Sequence, residues 1–249
     1  MRAAYKRSYY WPDSSAVSAT EIVPVIMALV KPSSVVDLGC ALGGWLRVFK
    51  DNGVKEILGV DGDWIDQELL LIAREEFITA DLTKPLDVRK RFDLAISLEV
   101  AEHIESQYAD VFLDSLTKLS SVVLFTAAVP DQGGVHHVNE QWPEYWVDKF
   151  KKRGFILIDC VRKKIWESNV EPCYAQNSLL FVEPNELKNH PNLQGEMQGA
   201  VSTPLSLVHP RMFLSHTSPE TIPLRVVLRA MKKAPTRLVR RYLNRRRPI

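Results

Sequence analysis

The sequence of 249 residues has only three cysteines and lacks the long apolar run that a membrane span requires. Cys40, Cys160 and Cys173 are too few and too scattered for a disulfide framework or a Cys-x-x-Cys zinc site, so we expect free thiols. The polar and aromatic N-terminus does not resemble a signal peptide, and no stretch reaches the roughly 18 apolar residues of a transmembrane helix. These absences predict an intracellular, cytoplasmic protein.

Acidic residues are absent from positions 221–249, which carry ten basic residues. Because the whole chain has 32 basic and 30 acidic residues, positions 1–220 hold 22 basic and 30 acidic ones and are acidic overall. Apolar residues from Leu224 to Met231 recur at helical spacing within this basic tail. Basic amphipathic segments bind anionic membranes or nucleic acid phosphates. The alternative is a tail without a binding partner, either solvated or docked on the protein itself. The tail leaves open a peripheral location at the inner face of the membrane.

Residues 35–44, Val-Val-Asp-Leu-Gly-Cys-Ala-Leu-Gly-Gly, read as a buried strand followed by a glycine turn that opens a helix. Gly39 and Gly43 allow a sharp turn and a close approach to a ligand. Asp37 places a carboxylate at the carboxyl end of the strand, where open α/β sheets bind ligands. This carboxylate would repel a pyrophosphate, so it favours a cationic ligand. A degenerate dinucleotide motif and a purely structural turn are the alternatives.

Further acids follow the next predicted strands. The second strand ends at Asp61, within the roughly 20-residue spacing of an acid that binds ribose hydroxyls. A short third strand over 76–82 closes on Asp81, and a fourth strand over 92–99 ends at Glu99. Apolar runs that alternate with helical patterns predict a mainly parallel sheet.

Residues 37–43, Asp-Leu-Gly-Cys-Ala-Leu-Gly, resemble motif I of the class I S-adenosylmethionine-dependent methyltransferases. The pattern of that motif is acid-x-Gly-x-Gly-x-Gly, and Ala41 stands in place of the middle glycine. The resemblance implies that Asp61 binds the ribose of S-adenosylmethionine, and that Asp81 and the amide of Leu82 bind the adenine. It disfavours a nicotinamide-dependent oxidoreductase, which has no need of Asp81. The implied cofactor-binding residues are Asp37, Gly39, Ala41, Gly43, Asp61, Asp81, Leu82 and Glu99.

The implied fold is a Rossmann-like α/β domain with a doubly wound, seven-stranded, mainly parallel sheet. Predicted strands over 154–161 and 178–182 resemble the antiparallel hairpin that ends this sheet in the family. We predict an aromatic and basic arm at 1–19 and the methyltransferase domain at 20–183. A linker or irregular extension follows at 184–220, and the basic C-terminal extension covers 221–249.

A second group of chemistry-bearing residues is Glu99-Val-Ala-Glu102-His103 together with His136-His137. On a helix, positions i, i+3 and i+4 share one face, and two carboxylates with an imidazole suit a divalent cation such as Mg²⁺ or Mn²⁺. This Glu-x-x-Glu-His segment with a later histidine resembles those of two metal-assisted subfamilies, the small-RNA 3′-terminal 2′-O-methyltransferases and the ubiquinone-pathway O-methyltransferases. This resemblance implies Glu99, Glu102, His103 and His137 as metal ligands. Without a metal, His137 or His136 would be the general base.

These observations predict an O-methyltransferase that acts on a hydroxyl-rich acceptor, with a sugar, glycan or related small metabolite as the first choice. The aromatic segment that includes Trp142, Tyr145 and Trp146 resembles bacterial methyltransferases encoded among surface-glycan genes. An RNA 2′-O-methyltransferase is the alternative enzyme, and the acidic body makes nucleic acid the less favoured partner. A membrane- or nucleic-acid-binding adaptor with a catalytically silent fold is the alternative from another class.

Overall fold

The computed structural model describes residues 13–198 and 204–218 and five further positions, 224, 227, 228, 231 and 232. The chain divides into two compact units, Met1–Leu207 and Val208–Ile249. The first twelve residues of the predicted arm and most of the predicted basic tail lie outside the described residues. Over the described positions, none of the helices is both long and apolar enough to cross a membrane.

The first unit is built on one seven-stranded sheet. Its strands are β1 (Ser34–Leu38), β2 (Glu56–Asp61), β3 (Phe77–Thr79), β4 (Leu94–Leu98), β5 (Val122–Thr126), β6 (Ile156–Ile158) and β7 (Leu179–Val182). Their order in the sheet is β3-β2-β1-β4-β5-β7-β6, and β7 runs opposite to the other six strands, antiparallel to both β5 and β6. The predicted doubly wound, mainly parallel sheet with its antiparallel terminal pair is confirmed.

Helices cover both faces of this sheet. In the first unit they are α1 (Asp13–Val30), α2 (Gly44–Asp51), α3 (Ala109–Leu119), α4 (Pro143–Lys151), α5 (Val161–Ile165), α6 (Pro172–Asn177) and α7 (Pro191–Gln198). The second unit contains α8 (Pro210–Thr217). Successive strand residues face opposite sides, so Val35 packs in the core beneath α1 and α2, whereas Val36 packs in the core beneath α3 and α4.

The structure differs from the sequence expectations at two segments. Helix α1 begins at Asp13, inside the predicted arm. The segment expected to be irregular, 184–220, contains a 3-10 helix and both α7 and α8. Leu187 and Leu193 are buried there, but one buried leucine per short helix produces no periodicity to detect. The predicted limits of the domain itself stay predictions.

Parallel pairing brings the ends of the central strands to one edge of the sheet. Asp37 in β1 lies opposite Gly59 in β2 and Ile96 in β4, and Asp61 in β2 lies opposite Thr79 in β3. The segments that follow β1, β2, β3 and β4 therefore meet at this edge, where open α/β sheets bind their ligands.

Candidate functional site

The turn between β1 and α2 alternates left-handed residues. Gly39, Ala41 and Gly43 have φ angles of 86°, 49° and 77°. A Cβ atom on Gly39 would lie 2.4 Å from Cγ2 of Val100, so this position has room only for glycine. Ala41 adopts the left-handed conformation at a cost of about 1 kcal/mol. The turn thus keeps the shape of the glycine motif although its middle residue is alanine.

Asp61 joins this turn to the end of β2. Its carboxylate accepts hydrogen bonds from the backbone nitrogens of Ala41 at 2.7 Å and Gly62 at 2.6 Å. The Trp64 side chain also contributes a hydrogen bond, and burial raises the pKa of Asp61 while these bonds oppose the rise. A carboxylate has about four lone-pair positions, so Asp61 keeps acceptor capacity for a bound hydroxyl.

A cleft of about 460 Å³ opens at this edge of the sheet. One part is lined by the last residue of β2 and by residues after β2 and β3, which are Asp61, Trp64, Asp81, Leu82 and Thr83. The other part is lined by Gly39, by Glu99, Val100, His103 and Ile104 after β4, and by Val135 and His136. This volume suits a small molecule or cofactor. Asp37 is buried beside the turn, and burial together with the charge of Asp61 raises its pKa well above the ordinary value.

Asp81 lies at the rim of the cleft and carries a fixed charge. Its Oδ1 accepts hydrogen bonds from the backbone nitrogen and hydroxyl of Thr83 at 3.0 and 2.6 Å, and its Oδ2 lies 3.0 Å from Nζ of Lys84. The hydrogen bonds from Thr83 and Lys84 lower the pKa of Asp81 to about 2. An ionised acceptor therefore stands beside Leu82 at the end expected to bind adenine.

Glu99 leaves β4 in the left-handed conformation, with φ of 55°. Its Oε1 accepts a hydrogen bond from Nδ2 of Asn177 at 3.0 Å, and its Oε2 accepts one from Nε2 of Gln132 at 2.6 Å. Burial raises the pKa of Glu99, and these amide hydrogen bonds oppose the rise. The expected helical face shared by Glu99, Glu102 and His103 is wrong, because the helical turn begins only at Ala101.

Three of the four predicted metal ligands do come together. Glu102, His103 and His137 each offer a ligand atom within 4.8 Å of the others, and Nε2 of His137 lies 3.9 Å from Oε1 of Glu102. Glu102 is fully buried, and no side chain in the described part of the chain hydrogen-bonds to its carboxylate oxygens. Burial and, to a lesser extent, the charge of Glu99 raise its pKa well above the ordinary value, while backbone hydrogen bonds from Glu102 and Ala128 oppose the rise. This donor set fits a divalent cation, which would compensate the buried carboxylate.

The two histidines after β5 occupy different places. His136 lines the cleft, and its backbone oxygen lies 3.3 Å from Nδ1 of His103. His137 packs edge-on against His103, with ring centroids 4.8 Å apart, and its Nδ1 lies 3.0 Å from Oε1 of Glu140. Burial, followed by the charge of His137, lowers the pKa of His103. The site therefore offers imidazoles both at the cleft wall and behind it.

Sequence reasoning missed Gln132, Glu140 and Asn177. Glu140 shapes the loop after β5 by accepting hydrogen bonds from the backbone nitrogens of Asp131 at 2.8 Å and Gly133 at 2.9 Å. Its position three residues after His137 was the available signal. Gln132 and Asn177 are 45 residues apart, so nothing local in the sequence indicated that they meet at Glu99.

Comparisons with known proteins agree with this geometry. A family profile described as a methyltransferase domain matches residues 16–158, more than half of the chain. The chain is also 32% identical over 92 residues to the ribosomal RNA large subunit methyltransferase E of Caulobacter sp. (strain K31). That match covers 37% of this chain and 39% of the relative, so it spans much less than the relative's full length.

Two solved structures share the fold at low sequence identity. An O-methyltransferase family protein from Burkholderia thailandensis has a TM-score of 0.51 and 11% identity, with 69% of this chain and 57% of that chain covered. DesVI from Streptomyces venezuelae has a TM-score of 0.52 and 12% identity, with 71% and 94% covered. At these identities the likeness concerns the arrangement of the sheet and helices.

Proposed function

The chain belongs to the class I S-adenosylmethionine-dependent methyltransferases, and we propose that it methylates an oxygen of a hydroxyl-rich acceptor, a sugar or glycan as first choice. The observation that carries the proposal is the Glu102, His103 and His137 cluster, which stands with His136 beside the cofactor cleft. A hydroxyl is a weak nucleophile, so its attack on a methyl sulfonium needs a proton acceptor or a cation close by. This cluster offers imidazoles as proton acceptors and a set of ligands for a cation.

In the proposed placement, the adenosine of the cofactor lies at the β2–β3 side of the cleft and its methyl group at the β4 side. Asp61 would accept from the ribose hydroxyls, while Asp81 and the amide of Leu82 would hold the adenine. Gly39 would allow the close approach of the ligand to the turn. This placement leaves the methyl group near Glu99 and His136, which line the other part of the cleft.

An imidazole is the proposed proton acceptor. The Glu140 carboxylate lies 3.0 Å from Nδ1 of His137, and this contact favours the tautomer that leaves Nε2 free to accept a proton. His136 is the second candidate base, because it lines the cleft directly. Replacing each histidine by glutamine separates the two: we expect the larger loss of kcat at the residue that accepts the proton.

Glu102, His103 and His137 are also the residues that would hold Mg²⁺ or Mn²⁺. Such an ion would orient the acceptor hydroxyl and lower its pKa. We leave Glu99 out of this proposed ligand set, because both of its carboxylate oxygens accept amide hydrogen bonds. Chelation should abolish turnover if the ion is required, whereas full turnover after exhaustive chelation would favour the histidine base. Added Mn²⁺ should also raise the melting temperature of the wild type but not that of Glu102→Gln.

RNA is the second candidate acceptor. The similarity to a ribosomal RNA methyltransferase over 92 residues favours it. The excess of acids in residues 1–220 opposes it, because an RNA-binding face is normally basic. A catalytically silent adaptor would bind the cofactor but transfer no methyl group.

A labelling experiment tests the acceptor class. The protein is incubated with methyl-tritiated S-adenosylmethionine and with separated polysaccharide, small-metabolite and RNA fractions of its host cells. We expect alkali-stable label, as for an ether, in the polysaccharide or small-metabolite fraction. Ribonuclease-sensitive label would favour RNA, and cofactor binding without label in any fraction would favour the silent adaptor.

The basic tail supports a peripheral location at an anionic membrane surface, with the remainder of the enzyme in the cytoplasm. Ten cations and no acids lie at 221–249. Among the described positions of this segment, Leu224, Leu228 and Met231 are exposed at 72%, 49% and 64%. Apolar side chains and cations together are typical of segments that lie on anionic lipid.

A further inference from the structure

Glu99 is held by two neutral amides that come from distant parts of the chain. Gln132 lies in the loop after β5, and Asn177 is the last residue of α6. The amides are linked to each other, because Nδ2 of Asn177 also donates to Oε1 of Gln132 at 2.9 Å. Nε2 of Gln176 in turn donates to Oδ1 of Asn177 at 3.1 Å. The carboxylate therefore has a fixed position and little rotational freedom.

Both side chains that hold Glu99 are neutral amides, so they leave its charge uncompensated. An arginine or lysine at this place would neutralise Glu99, whereas amides donate hydrogen bonds without adding a charge. The arrangement also includes a left-handed φ of 55° at Glu99, which is unfavourable for a residue with a side chain. The structure thus presents an oriented carboxylate that lines the cleft and that no lysine or arginine of the described residues neutralises.

The order of the strands indicates which part of the cofactor this charge meets. Asp61 ends β2 and Asp81 follows β3, on one side of β1, and Glu99 follows β4 on the other side. A cofactor with its adenosine at the first two acids extends across β1 toward Glu99. Beyond the ribose, S-adenosylmethionine carries its sulfonium, and the donated methyl group must point to the acceptor side, where His136 lines the same cleft.

We propose that Gln132 and Asn177 are positioning residues that hold the Glu99 carboxylate against the sulfonium, so that the site discriminates S-adenosylmethionine from the neutral thioether product. The proposal rests on the cofactor placement given above. A fixed negative charge in the cleft attracts the cation and has no such attraction for S-adenosylhomocysteine. Both ligands share their ammonium and carboxylate groups, so a change in the ratio of their affinities reports on interactions with the methylsulfonium group.

Calorimetric titration of the full chain with each ligand tests this at about pH 8, where carboxylates are ionised. The quantity measured is the Kd of S-adenosylhomocysteine divided by that of S-adenosylmethionine. We expect Glu99→Gln to lower this ratio about tenfold, through weaker binding of S-adenosylmethionine alone. Gln132→Ala should lower it about threefold, because the carboxylate loses one of its two amide anchors, while the hydrogen bond with the Thr126 side chain remains.

Gln141→Ala is the matched control. Gln141 lies in the same loop as Gln132, but its Nε2 donates to Oδ1 of Asn139 and not to Glu99. Its ratio should equal that of the wild type. Asn177→Ser removes the second anchor, and Gln132→Ala keeps the test valid if the buried Asn177 variant does not fold. If Glu99→Gln loses equal affinity for both ligands, with binding still measurable, the positioning role is overturned and the cofactor placement is not. Absence of S-adenosylmethionine binding by the wild type would overturn the cofactor placement as well.

Discussion

The Asp61 carboxylate accepts a hydrogen bond from the backbone nitrogen of Ala41 at 2.7 Å. This bond fastens the turn after β1 to the end of β2 and holds Ala41 in its left-handed conformation. The acid expected to bind ribose therefore also supports the turn that the cofactor approaches. Cofactor affinity and the shape of the turn should depend on the same side chain.

Asp61→Ala should weaken the binding of S-adenosylmethionine roughly ten- to a hundredfold, because it removes charge-assisted hydrogen bonds worth about 1.5–3 kcal/mol. Calorimetry gives the affinity, and circular dichroism checks the fold. The exposed neighbour Asp63 provides the control variant Asp63→Ala, which should bind as the wild type does. Unchanged affinity in a folded Asp61 variant would remove the basis of the cofactor placement.

Gly39→Ala should abolish cofactor binding and lower the stability of the fold well beyond the cost of its backbone angle. Its Cβ would lie 2.4 Å from Val100, whereas a Cβ on Gly53, with φ of 97°, meets no atom within 4 Å. Gly53→Ala therefore isolates the left-handed penalty of about 1 kcal/mol. Thermal unfolding and calorimetry of the two variants separate contact from conformation, and equal losses in both would contradict the packing argument.

Glu102→Gln should raise the free energy of unfolding at about pH 8, measured with a chelator present, by about 1 kcal/mol or more. Burial raises the pKa of Glu102 in the folded protein. As the pH rises above the ordinary pKa of a glutamate, the unfolded chain releases this proton first, so the wild type loses stability. Near about pH 3, below the ordinary pKa of a glutamate, the carboxyl is protonated in both states, and the two proteins should unfold alike.

The exposed Glu105 supplies the control variant Glu105→Gln, which should have little effect at either pH. A Glu102→Gln protein that is less stable than the wild type at both pH values would show that the carboxylate makes stabilising hydrogen bonds. That result would count against Glu102 as a residue reserved for a cation or for catalysis.

Deletion of residues 221–249 should release the protein from vesicles that contain anionic lipid. Each of the ten cations contributes on the order of 1 kcal/mol near such a surface, and apolar burial adds to this. Sedimentation of the full chain should be salt-sensitive and should require anionic lipid, with zwitterionic vesicles as the control. Failure to bind anionic vesicles at low salt, together with RNA binding through the tail, would favour the RNA acceptor.

Local patterns were enough to predict the sheet and the acids at its edge. Asp37, Asp61 and Asp81 each lie within two residues of the end of an apolar strand, and parallel strands bring such ends together. The direction of Glu99 could not be predicted, since it depends on one backbone angle and on Asn177, which is 78 residues away. Helix α7 was missed because its burial rests on Leu193 in a short segment without helical periodicity.

Titration of the wild-type protein with S-adenosylmethionine and, separately, with NAD tests the central claim most directly. The claim is that the cleft after β1–β4 is built for a cationic cofactor without phosphate, because its walls carry Asp61, Asp81 and Glu99. We predict that one S-adenosylmethionine binds per chain and that NAD produces no binding heat. Binding of NAD with no binding of S-adenosylmethionine would contradict the account.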